Sequence, residues 1–164
     1  MILGLSVGAY TMLHVAISLL GIVAGFVVVA LMILGRMARA VTALFLAASV
    51  LTDITGYLFH SKSFGPPHVV GAISLVVLAI GLFALYGRQL AGAWRGTWVV
   101  CAVIGLYLNV FVGEVQAFGK LPALHALAPN GSEPPFVVSQ GLTLVLFVVL
   151  GIAAFRRFKP APAP

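Results

Sequence analysis

The sequence predicts an all-α bundle of five membrane-spanning helices, and three observations predict it. Of its 164 residues, 62% are apolar. Only 7% are charged, against roughly 25% in a soluble domain. The apolar residues fall into five runs, each near the 20 or so residues that a helix needs to cross roughly 30 Å of hydrocarbon. Nine basic and three acidic residues cannot clothe a water-facing surface. The composition therefore excludes an ordinary soluble enzyme and a disordered chain. The net charge of +6 does not point to nucleic acid, because the basic residues stand singly or in pairs rather than in a patch. Helix is the expected state of each run, since an open strand would leave its backbone unpaired in lipid. The period-2 alternation of a barrel strand is also absent.

The first span covers residues 11–34. It lacks the basic leading segment and cleavage site of a secretory signal. Gly21 and Gly25 form a GxxxG face that also carries Ser18 and His14, and the expected use of that face is packing inside the bundle. A link, Gly35-Arg36-Met37-Ala38-Arg39, leads to the second span, residues 40–59, which carries Asp53. Ser49, Gly56 and His60 are expected on the face of Asp53. The next link ends in Pro66-Pro67, which fits a helix start for the third span, residues 68–87. Gly71, Ser74 and Gly81 share one of its faces. Residues 88–95 lead to the fourth span, residues 96–118. There Gly105, Asn109, Gly113 and Gln116 share a face, while Glu114 points roughly 140° away. Polar groups on two faces suggest a central place in the bundle. The long link that follows holds Pro122 to Leu127, expected as a short interfacial helix. The fifth span covers residues 136–155, with Gln140 one turn in. Residues 1–158 thus read as one bundle, and residues 159–164 as a disordered Pro/Ala tail. The single cysteine, Cys101, allows no intrachain disulfide and reads as a small buried hydrophobe.

Lys and Arg set the expected orientation. Arg36, Arg39, Arg88, Arg95, Arg156, Arg157 and Lys159 fall on one side, and Lys62 and Lys120 on the other. The expectation is a cytoplasmic C-terminus and an N-terminus outside, in a bacterial cytoplasmic membrane. All four histidines, Asp53 and Glu114 then fall in the outer half. Asp53 lies six residues before Phe59 and Glu114 six before Lys120, each roughly 9 Å from the outer end of its helix. An intramembrane charge costs about 2.5–3.5 kcal/mol to insert, so both acids call for a hydrated or paired setting. Each polar residue has a structural and a functional reading. Asp53 either pins helices through a hydrogen bond or serves a site. Glu114 either reaches the surface or Lys120, or serves the same site. His60, His68 and His125 lie near water, where a histidine needs no ligand.

The segment LNVFVGEVQAFGKLPALHALAPNGSEPPFVVSQG, with TMLHVAISLLGI and LTDITGYLF, resembles a group of small multi-span bacterial membrane proteins of unknown function. The PALHALAP…SEPPF run is its most specific part. The resemblance implies an inner-membrane protein and no particular activity. In that group the positions of Asp53 and Glu114 are often uncharged, so the resemblance favours His14 and His125 over the acid pair. A looser likeness of architecture exists to small bacterial membrane families with outer-leaflet histidines, some of them suspected of binding haem.

Three functions compete. The first is a non-enzymatic accessory or assembly component, with the bilayer and other membrane proteins as its partners; no catalytic motif is recognised. The second is a site open to the periplasm, with b-type haem on His14 and His68, or a divalent metal on His60, His125, Asp53 and Glu114, since imidazole and carboxylate suit zinc, copper or iron. The third is proton conduction through Asp53 and Glu114. It ranks last because the inner half has no polar continuation below Asn109.

Overall fold

A computed structural model describes residues 1–59 and 65–159. His60, Lys62 and the tail beyond Lys159 lie outside the described residues. Five helices are long and apolar enough to cross a membrane, and the described residues contain no strand. They are α1 (Val7–Ile33), α2 (Arg39–Tyr57), α3 (Pro66–Leu82), α4 (Trp94–Lys120) and α6 (Pro134–Arg157). A π-helical turn, Phe83–Gly87, completes the third span, and the one-turn α5 (Pro122–His125) lies in the long link.

The ends differ from the hydropathy runs by a few residues, for local reasons. Helix α1 begins before its apolar run because the Ser6 hydroxyl accepts from the Ala9 N–H at 3.2 Å, capping the first turn. Helix α3 begins at Pro66, since a proline in the first turn gives up only an amide that has no partner there. Helix α6 begins at Pro134 behind Glu133, which occupies the N-cap position. At its other end Arg156 and Arg157 extend the helix into its last turn, where positive charge suits the helix dipole.

Successive spans run antiparallel and pack into a ring, in which α4 touches each of the other four. The central place expected for the fourth span is thus observed. Helix α1 packs most extensively on α2 and also meets α4 and α6. The core is built around Phe45, Leu78, Trp98 and Leu106, all almost fully buried.

The GxxxG face is consumed inside this bundle. A methyl on Gly21 would sit 3.4 Å from Ala48 Cβ, at ordinary contact. A methyl on Gly25 would sit 2.5 Å from Leu106 Cδ1 and 2.9 Å from Phe45 Cε2, so the absence of a side chain lets α1, α2 and α4 close together.

Candidate functional site

The antiparallel arrangement sorts the polar side chains to the two ends. One end, the histidine end, gathers the starts of α1, α3 and α6 with the finishes of α2 and α4. The opposite, arginine end gathers the other termini.

At the histidine end, His14 of α1 stands on α2. Its Nδ1 lies 2.7 Å from Thr55 Oγ1, and its ring meets Phe59 edge-on at 5.2 Å. The Thr55 hydroxyl also reaches the Leu51 carbonyl at 2.6 Å. His14 Nδ1 and Thr55 Oγ1 share one hydrogen bond across the two helices, whose donor is set by the tautomer of the ring. The Tyr10 hydroxyl donates to the Thr55 carbonyl at 2.9 Å, a second tie between the same helices. The Lys120 ammonium of α4 is close enough for its charge to act on His14.

His68 bonds within its own helix start. Its Nδ1 accepts from the Gly65 N–H at 3.1 Å, which places the proton of the neutral ring on Nε2. A metal-bound histidine gives one ring nitrogen to the metal and donates from the other. His68 spends its acceptor nitrogen on the start of its own helix instead. The Tyr57 hydroxyl donates to the His68 carbonyl at 2.5 Å, and the two rings stand 5.6 Å apart.

The two intramembrane acids face different neighbours. Asp53 looks toward the Ser74 hydroxyl of α3. The pair falls short of hydrogen-bond geometry, and Asp53 Oδ2, Ser74 Oγ and Thr52 Oγ1 are buried without a bond. Glu114 Oε1 accepts from the Thr143 hydroxyl of α6. Glu114 Oε2 and both amide atoms of Gln140, one turn before Thr143, are buried without a bond. The expectation that Asp53 shares its face with Ser49 and Gly56 is corrected. Ser49 is turned to α4, where it accepts from Asn109 Nδ2 at 2.9 Å, and Gly56 is turned to His14. Four residues advance a helix by about 400°, and that 40° offset carries Asp53 round to α3. Polar contacts of α4 with both α2 and α6 match the two polar faces read for the fourth span.

His125 is exposed on α5, and His60 lies outside the described residues. Among the described residues no three His, Cys, Asp or Glu side chains come together to hold a metal ion. His14, Asp53 and Glu114 therefore face α2, α3 and α6 respectively rather than one cavity. Thr55, Ser74 and Thr143, the residues they face, were not singled out as site residues by sequence reasoning, apart from Ser74 as a packing residue. Their signal was available: a hydroxyl within a span seeks a partner on a neighbouring helix.

At the arginine end the contacts are of another kind. Arg95 of α4 donates to the carbonyls of Phe155 and Phe158, at the close of α6. Its guanidinium also lies 5.5 Å above the Phe155 ring, and that of Arg88 lies 5.7 Å above Trp94.

The fold and these contacts define a multi-span helical membrane protein whose polar groups tie helices together in pairs. No family model, curated protein or solved structure matches the chain.

Proposed function

We propose that the protein is a non-enzymatic accessory or assembly component of a bacterial cytoplasmic membrane, and that α6 receives a spanning helix of another membrane protein. The observation that carries this reading is the stripe Val138, Leu142, Val145, Val149 and Ile152. These side chains are 49–66% exposed and recur every three or four residues along α6, the repeat at which two helices interlock side chains. Only 11% of the α6 span is buried, against 44% for α4. The resemblance carried by PALHALAP…SEPPF and the bias of seven basic residues to two support an inner-membrane protein with its N-terminus outside.

The test is photocrosslinking in cells from a reactive residue at Val145, followed by gentle extraction. A discrete heavier adduct containing a second membrane protein is the expected result. Adducts with lipid alone, and a lone protein on purification, would sink the proposal. A Soret band or stoichiometric metal in the purified protein would instead favour the periplasm-facing haem or metal site.

A further inference from the structure

The seam between α4 and α6 opens, toward the arginine end, into a groove of about 470 Å³. Its walls are apolar, formed by Val100, Val103 and Ile104 of α4 and by Val148, Gly151, Ile152 and Phe155 of α6, and Arg156 stands at its mouth. From Val148 to Arg156 the groove follows eight residues of helix, or about 12 Å. Two features keep it open. Gly151 contributes no side chain, and a methyl there would already touch Val103 Cγ1 at 3.4 Å. The Phe155 ring is held aside, packed so closely over Gly96 that a methyl on that glycine would come within 2.7 Å of it, and covered by Arg95.

The charges at the mouth are one-sided. Arg95 is committed to the carbonyls of Phe155 and Phe158. Arg156 makes no hydrogen bond or ion pair with any described residue. The only acids of the chain, Asp53, Glu114 and Glu133, belong to the opposite end of the bundle. An apolar slot that runs most of the depth of one hydrocarbon leaflet, with an unpaired guanidinium at its rim, is complementary to an amphiphile with an anionic head.

We propose that this groove binds one anionic glycerophospholipid, with an acyl chain along Gly151 and the phosphate on Arg156. The slot accounts for the chain, which a free phosphate would not need. The uncompensated cation accounts for the preference over a zwitterionic lipid, whose own ammonium would face Arg156. This site lies on the arginine half of the seam and shares Ile152 with the exposed α6 stripe, and a lipid in it needs no partner helix.

The test uses the full-length protein in nanodiscs containing equal phosphatidylglycerol and phosphatidylcholine of matched chains. Lipids retained on release are counted by native mass spectrometry. The wild type is expected to retain phosphatidylglycerol over phosphatidylcholine by roughly fivefold, the effect of one basic residue at an anionic headgroup. R156Q is expected to bring the ratio to parity, and R157Q to leave it unchanged. G151L fills the slot and is expected to lose both lipids. Equal retention by the wild type would overturn the proposal. So would equal losses in R156Q and R157Q, which would mean diffuse attraction. Retained lipid in G151L, or a second copy of the chain seated in the seam, would overturn it as well. Should G151L fail to fold, the comparison of R156Q with R157Q decides alone.

Discussion

Arg95 donates to the Phe158 carbonyl oxygen at 2.5 Å and so ties the start of α4 to the finish of α6. The same guanidinium nitrogen also donates to the Phe155 carbonyl at 3.1 Å. The last carbonyls of a helix have no partner within it and carry the negative end of its dipole. A cation from a neighbouring helix satisfies both needs. It also anchors α6, the least buried of the five spans.

Loss of this clamp is expected to show as lost stability. R95M should lower the unfolding free energy in detergent by about 1.5–3 kcal/mol, the range for hydrogen bonds to a charged group. R95K keeps the charge but not the planar fork, and should fall between. A melting temperature for R95M equal to the wild type's would refute the clamp.

The two glycines of the GxxxG pair are expected to behave differently. G25A drives a methyl into Leu106 and Phe45 and should cost about 1–3 kcal/mol, as overpacking does. G21A meets Ala48 at ordinary contact and should be tolerated. Equal losses of stability in the two variants would contradict the packing described, and denaturant titration of each decides the matter.

Ser49 and Asn109 form a buried hydrogen bond between α2 and α4. A double-mutant cycle with S49A and N109A should return a coupling of about 0.6 kcal/mol, the average for such pairs in membranes. Additive single losses would mean that the two side chains do not interact.

Glu133 gives a pH-dependent signature outside the spans. Slight desolvation works upward on its carboxyl. Hydrogen bonds from the backbone amides of Asn130, Ser132 and Glu133 and from the Asn130 side chain outweigh it, taking the pKa from 4.5 to about 2. With the folded value depressed, the contribution to stability is complete above about 4.5. It falls as the pH drops toward 2, and is lost below that. The Asn130 and Ser132 amide signals in nuclear magnetic resonance should titrate with a midpoint near 2, and E133Q should abolish the transition. A midpoint near 4.5 would show that the loop does not hold the carboxylate.

Span number and order were legible because hydrophobic length is a property of each segment alone. The ends were less so, because they are set locally outside the apolar runs, by the Ser6 cap and by prolines in the first turns of α3 and α6. The central place of α4 could be read from Asn109 and Glu114 on separate faces. What those groups meet could not. The pairing of Glu114 with Thr143 crosses 29 residues of chain, and that of His14 with Thr55 crosses 41. Such pairings depend on helix rotation, and an offset of about 40° on α2 is enough to separate Asp53 from Ser49. The partners of His14 and His68, Thr55 and Gly65, are likewise not revealed by composition.

The contact of α4 with every other span has a consequence for biogenesis. Translation delivers the helices to the bilayer in order, so α1, α2 and α3 arrive before their common neighbour exists. Until then the Ser49 hydroxyl has no Asn109, and Phe45 and Leu78 have no Gly105 to close upon. The first three spans are therefore an unfinished half-shell that lipid must cover. Arrival of the fourth closes it, and the fifth is latched on last, at the arginine end, by an arginine already in place.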